Sequence, residues 1–273
     1  RSNVSKFSLS CLPKDEFPII ETKTNNSKKI TVKSQTILNL INKTKFAISN
    51  EETRYFLNGL YFNIYSSDNT SNLTFVGTDG HRLATSTALL KMSIDEVPGV
   101  IIPKKTINEL SKLLSENYDN IEVDISSNKI IFYIDNLILT SKLIDGNFPD
   151  YTRVIPKNNN NNLMINRENL LSAVDRVSTI ANEKSPVIKF KLLQNVLNLN
   201  TINNESSTAS EDLKINYNGD DIEIGFNSKY IMDIVNNLED EKVILKLKDG
   251  SSPIIAQENS NSNLVYVLMP MRV

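Results

Sequence analysis

The sequence predicts an α+β fold built from tandem units, each with two helices packed on antiparallel sheets. Three observations carry this. An apolar pattern that reads as a strand followed by a helix occurs twice; a second helix follows each copy; and runs alternating with period two come after it. Internal periodicity of this kind decides architecture before any single motif does.

The first copy is KITVKSQTILNLINKTKFAIS, from Lys29, and the second is NLMINRENLLSAVDRVSTIAN, from Asn162. Leu163, Ile165, Leu170, Leu171 and Val174 stand 133 positions after Ile30, Val32, Ile37, Leu38 and Ile41. Apolar residues spaced i, i+1, i+4 mark a helix face meeting a core. Ile107, Leu110 and Leu114 are answered 124 positions later by Ile231, Ile234 and Leu238, the shorter offset implying loop deletions. Ile121, Val123 and Ile125 then correspond to Val243, Leu245 and Leu247, and alternation places each set on one sheet face.

This organisation predicts a middle unit over 29–157, a flexible Asn-rich linker over 158–162 and a last unit over 163–273. FSLSCLPKDEFP, from Phe7, echoes ILTSKLIDGNFP, from Ile138, which ends the middle unit. Residues 1–28 are therefore expected to be the closing strand of a truncated earlier unit plus a linker. A chain opening at Arg1 without methionine is expected to be a fragment.

A length of 273 residues suits two domains and a remainder, and 40% hydrophobic residues suffice for packed cores. No apolar run approaches the roughly 18 residues of a membrane span and no charged-then-apolar leader opens the chain, so a cytoplasmic protein is expected. Cys11 is the only cysteine, which excludes a disulfide framework and a multi-cysteine metal site. Thirty Lys and Arg against 32 Asp and Glu leave a net charge of −2, without the basic excess of a protein that grips nucleic acid electrostatically. Lys104, Lys105 and Lys112, Arg167 and Arg176, and Asn39, Asn42 and Lys43 nevertheless fall on polar helix faces. Solvated faces are the default reading, yet together they would give one positive surface suited to a phosphate backbone.

The sharpest local motif is Thr78-Asp79-Gly80-His81-Arg82-Leu83, after the apolar strand Leu73–Val76. Asp-Gly is a tight-turn signal because Gly accepts positive φ without steric cost. His81 is the only histidine, and no Ser or Cys stands at a spacing that would make it the base of a nucleophilic triad. One His and one Cys cannot complete a zinc site, and no Walker loop or GxGxxG occurs. No catalytic residue, metal ligand or cofactor site is therefore expected. The competing reading, a hydrolase or nuclease using His81 with Asp79, predicts turnover that is lost on replacing His81 by Asn.

Landmarks along the whole chain resemble the bacterial DNA polymerase III β subunit family, the sliding clamps. They run in the family's order: FSLS near the start, RYFLNG at Arg54–Gly59, TDGHRLA at Thr78–Ala84, IIPKK at Ile101–Lys105, TSKLIDGNFPDY at Thr140–Tyr151, NEK at Asn182–Lys184, and the terminal YVLMPMRV. The resemblance implies an accessory, non-catalytic replication factor. Its subunits have three similar DNA-clamp domains, and two subunits join head to tail as a homodimeric ring around duplex DNA, held topologically and without sequence preference. It further implies that the first domain is absent here, so that a domain edge lacks its ring partner, as does the helix end near Thr179 and Ile180, and the chain is monomeric.

The resemblance also implies a peptide-binding cleft between the last two domains. There the DNA polymerase III catalytic subunit, the clamp loader and repair polymerases insert a short peptide containing Gln, Leu and Phe. Carried over by motif, its residues are Leu57, Thr78, Gly80, His81, Arg82, Leu83, Pro149, Arg153 and Val154, with Asn227, Tyr230, Val267, Leu268, Met269, Pro270, Met271 and Arg272 from the last domain. Met and Leu would supply an adaptable apolar floor, with Arg and His at the rim to bond peptide carbonyls. Arg54, Tyr55, Lys104 and Lys105 are the implied DNA-facing residues, beside an acidic Asn50-Glu51-Glu52 stretch. Ser185-Pro186 follows NEK where an aromatic is common, and Val273 stands where Leu is common.

Overall fold

A computed structural model describes residues 4–17, 27–67, 70–90, 94, 97–116, 119–182, 186–202 and 207–272. The first half runs β1 (Lys28–Lys33), α1 (Ser34–Thr44), β2 (Gly59–Ser67), β3 (Thr70–Thr78), β4 (Arg82–Leu90), β5 (Val97–Pro103), α2 (Lys104–Leu114), β6 (Asn120–Ile125), β7 (Lys129–Ile134) and β8 (Leu137–Lys142). The second repeats the order: β9 (Asn161–Asn166), α3 (Arg167–Ser178), β10 (Val187–Leu193), β11 (Val196–Ile202), β12 (Thr208–Lys214), β13 (Ile222–Asn227), α4 (Ser228–Asn236), β14 (Lys242–Leu247), β15 (Ile254–Gln257) and β16 (Leu264–Leu268).

The repeat read from the sequence reappears as strand register. In the first half β1 pairs antiparallel with β6, placing Ile30 opposite Val123 and Val32 opposite Ile121. In the second, β9 pairs with β14, with Leu163 opposite Leu245 and Ile165 opposite Val243. These are the same repeat positions, so the two halves bury the same face of the same strands.

Each half forms its own core. Ile37, Leu40 and Ile41 of α1 and Ile107, Leu110 and Leu114 of α2 are at most 2% exposed and share one core with the apolar residues of β1, β2, β3, β6 and β7. Burying each such side chain stabilises by about 1.5–3 kcal/mol. Leu170, Ala173 and Val174 of α3 join Ile231, Ile234 and Val235 of α4 in the second core. Asn166 caps α3, its side chain accepting from Asn169 N, and Asn227 caps α4 by accepting from Lys229 N. α1 and α2 start after Lys33 and Pro103 without a side-chain cap.

Two four-stranded sheets, β1-β6-β7-β8 and β12-β11-β10-β13, lie within single halves. The third sheet has eight strands, ordered β5-β2-β3-β4-β16-β15-β14-β9, and crosses from one half to the other where β4 pairs with β16. This junction positions the site described below.

Three expectations differ from what is observed. The asparagine run is not a free linker: Asn159 Nδ2 donates to Lys246 O at 2.9 Å and Pro253 O at 2.8 Å, and β9 already begins at Asn161, opposite Leu247. Asn side chains satisfy backbone carbonyls here, which composition alone does not reveal. Of residues 1–28, expected as a closing strand plus linker, the described residues 4–17 hold a bridge residue at Ser5 and the 3-10 turn Lys14–Glu16 but no extended strand. Phe7, Leu9, Leu12 and Phe17 in that stretch are 76% to 83% exposed. Lys43, placed on a solvated helix face by sequence, is 6% exposed, because that turn of α1 abuts the second half. Glu183–Ser185 and Val273 lie outside the described residues.

Candidate functional site

The junction places Leu83 opposite Val267 and Arg82 opposite Leu268 in antiparallel register. Alternation along β16 turns Leu268 into the second core, while Val267 joins Val76 and Leu83 in a small separate cluster. Tyr61, Phe148, Tyr151 and Ile155 pack against that cluster, with the Tyr61 and Phe148 rings stacked at 4.8 Å. Burial among these apolar groups raises the phenol pKa of both Tyr61 and Tyr151.

A turn over 79–81 sets one wall. Gly80 has φ +88°, the left-handed region that glycine occupies at no steric cost. Asp79 Oδ1 accepts from His81 N at 2.9 Å and Arg82 N at 3.0 Å, and Thr78 Oγ1 donates to Arg82 O at 2.6 Å. Asp79 is thus consumed by the turn and by Arg82. On the far side Met269 N donates to His81 O at 2.9 Å, tying the C-terminal segment to this turn, and Met271 N donates to Gly225 O at 2.8 Å.

Above the small cluster opens a cleft of about 290 Å³ lined mainly by apolar surface. Of the residues expected there, Leu57, Thr78, Gly80, Arg82, Leu83, Pro149, Val154, Val267 and Met269 line it. Sequence reasoning missed Arg54, Phe56, Asp150 and Tyr151, although all four stand inside the RYFLNG and FPDY landmarks. Arg54 reaches the cleft although the motif comparison did not include it there. Expected among the DNA-facing residues, it has its guanidinium against Gly80 in the cleft, where Glu51 pairs with it. That hydrogen bond from Arg54, with one from Thr53, holds the Glu51 carboxyl below its ordinary pKa.

The other expected cleft residues lie around it without lining it. His81 is exposed, its ring roughly parallel to that of Tyr230 at 6.4 Å. Burial first, then the charge of Asp79, raises the pKa of Tyr230. Arg153 is exposed and pairs with Asp150 at 2.8 Å, Asn227 is occupied in capping α4, and Pro270 and Met271 are half-buried on the terminal segment. Arg272 lines a separate hollow with Val187, Lys189 and Ile202. Leu268 is 1% exposed and belongs to the core.

A different surface gathers the lysines. Lys45, Lys104, Lys105 and Lys112 surround an open hollow along α2, with Asn108 and Ser111 between them. Lys45 Nζ donates to Ser111 Oγ at 3.0 Å and Lys104 Nζ to Asn50 Oδ1 at 2.6 Å. Partial burial lowers the pKa of Lys45. Tyr55, the remaining expected DNA-facing residue, is 55% exposed and packs edge-on against Phe56. Among the described residues no group of three or more His, Cys, Asp or Glu is placed to hold a metal ion, and no helix is long and apolar enough to cross a membrane.

Residues 31–150 match the family of the DNA polymerase III beta subunit, central domain, and residues 152–272 that of its C-terminal domain. The chain is 38% identical over 269 residues to the beta sliding clamp of Caulobacter vibrioides strain NA1000, covering 98% of this chain and 72% of the relative. It is 36% identical over 273 residues to that of Escherichia coli K12, covering 100% and 73%. Among solved structures, the sliding clamp of Bartonella birtlesii bound to griselimycin superposes with a TM-score of 0.92 at 41% identity, over 99% of this chain and 73% of that one. The beta sliding clamp of Caulobacter crescentus gives 0.94 at 37% identity, over 99% and 72%. On this evidence, two matched domains and relatives alike along nearly the whole chain, the protein belongs to the DNA polymerase III beta subunit family, the beta sliding clamps.

Proposed function

We propose that this chain is the part of a sliding-clamp subunit that carries the tethering cleft. In the longer protein, a homodimeric ring encircles duplex DNA without reading its sequence. The cleft captures a short Gln-, Leu- and Phe-containing peptide from the replicative polymerase, the clamp loader and repair polymerases. The chain acts as a non-catalytic accessory subunit in the cytoplasm, and alone it is monomeric. One observation carries the reading: an apolar cleft is built across the β4–β16 junction from both family domains, with Leu83 and Val267 as its floor and guanidinium and carboxylate groups at its edge. Concave, mostly apolar sites with a few polar groups suit short apolar peptides. The lysines along α2 supply sequence-independent attraction to phosphate.

The test is binding of a fluorescently labelled peptide containing Gln, Leu and Phe, read by polarisation. Micromolar affinity is expected for the chain, with loss of binding when residues 269–273 are removed, since Met269 lines the cleft and its backbone ties the terminal segment to the 79–81 turn. Unchanged affinity after truncation would overturn the site assignment.

A further inference from the structure

We infer that Arg82 serves the cleft as a positioning residue, held from across the junction by Asp233, and does not donate to the cleft's occupant. The inference rests on the reading of the cleft as a peptide site and goes on to say how its two walls are kept in register.

Each of the three guanidinium nitrogens, which together carry five N–H groups, already donates one hydrogen bond within the protein. Nε donates to Asp79 Oδ2 at 3.1 Å, one terminal nitrogen to Asp233 Oδ2 at 2.6 Å, and the other to Phe46 O at 2.8 Å. Its carbon sits 4.3 Å from the centroid of the Tyr230 ring and 5.2 Å from that of Phe46, between two aromatic faces. The side chain is 9% exposed, against 38% for Arg54 at the same cleft. Asp79 and Phe46 belong to the first half, Asp233 and Tyr230 to α4 and its first turn in the second. Arg82 therefore fastens the 79–81 turn, which carries Thr78 and Gly80 into the cleft, to the helix of the other half. A planar fork spreads its donors over three nitrogens and reaches acceptors on three sides, whereas an ammonium presents its three donors from a single point.

Asp233 is absent from the cleft lining. It should nonetheless govern affinity, because loosening it frees one wall to shift against Val267 and Met269. Small misplacements of a binding wall are costly because a preorganised site is what keeps the ordering penalty low.

The experiment titrates griselimycin, the ligand of the Bartonella birtlesii relative, into four forms of the chain by calorimetry: unsubstituted, Asp233→Asn, Asp233→Glu and Arg82→Lys, with Asp233→Asn also made in the Arg82→Lys background. Asp233→Asn is expected to weaken binding about fivefold at low salt, with the difference shrinking in 0.5 M NaCl because this half-exposed pair is screened. Asp233→Glu should restore affinity to within about twofold, and Asp233→Asn should add no further loss once Arg82 is Lys. If Arg82 donated directly to the ligand, Arg82→Lys would weaken binding while Asp233→Asn left it unchanged; that result, or equal losses in both backgrounds, overturns the inference. Should Arg82→Lys fail to fold, the Asn, Glu and salt comparison at position 233 decides alone. Failure of the unsubstituted chain to bind overturns the cleft reading and this inference with it, whereas binding indifferent to Asp233 overturns this inference only.

Discussion

Replacing Tyr266 by Phe removes one oxygen atom from the seam between the two halves and nothing else. Tyr266 is fully buried on β16, and its hydroxyl reaches Lys43 O at 3.0 Å and Asn237 O at 3.4 Å. Those carbonyls lie at the C-terminal ends of α1 and α4, where the last turn of a helix has no intrahelical donors. Lys43 Nζ adds a donor to Asn237 O at 2.7 Å and reaches Glu239 at 2.6 Å, so one buried tyrosine and one buried lysine satisfy a carbonyl at each helix end. Burial drives the phenol pKa well above its ordinary value, and the nearby Glu258 and Glu239 charges push the same way, so the hydroxyl stays a donor at any working pH. The edge-on contact with Phe46 at 5.3 Å survives in the Phe variant. The loss therefore comprises a net hydrogen bond of about 1 kcal/mol plus a partly unsatisfied Lys43 carbonyl, about 1–3 kcal/mol in total. For a chain of this size that corresponds to a fall in Tm of roughly 2–10 °C. Thermal and urea unfolding followed by circular dichroism measure it. A variant whose stability matches the parent within about 0.3 kcal/mol would refute the claim that this hydroxyl holds the halves together.

Two further outcomes are expected. Gly80→Ala forces a Cβ into a φ of +88° and against an Arg54 guanidinium nitrogen; it should cost about 1–2 kcal/mol in urea unfolding, and an unchanged midpoint would contradict the assigned turn. Asp249 receives hydrogen bonds from Ser251 N, Ser252 N and both serine hydroxyls, which hold its carboxyl at a pKa of about 2, below the ordinary 3.8. A depressed carboxyl stabilises the fold above its unfolded pKa and loses that contribution as pH falls from about 4 through 2. Carboxyl titration by NMR should therefore find Asp249 still ionised at pH 3; protonation near 3.8 would show that the Asp249-Gly250-Ser251-Ser252 loop is not closed in solution.

The sequence by itself determined what local chemistry and repetition can carry. The α+β class and the repeat, down to the buried face of its strands, were legible because Ile30, Val32, Leu163 and Ile165 declare that face by period, and the face is decided by water. The Asp79-Gly80 turn was legible because only glycine suits its backbone, and the motifs of the cleft followed one another in a family's order. Tertiary structure alone decided which side chains of those motifs meet. Arg54 and Arg82 both stand in family landmarks and both line the cleft, yet one lies half-exposed against Gly80 while the other is nearly buried and bonded to Asp79, Phe46 and Asp233. Nothing local distinguishes them, since the difference comes from partners up to 151 positions away. Lys43 and the asparagine run were misread for the same reason. A polar side chain looks solvent-facing until a distant segment brings the carbonyl it satisfies, as Asn237 O does for Lys43 and Lys246 O for Asn159.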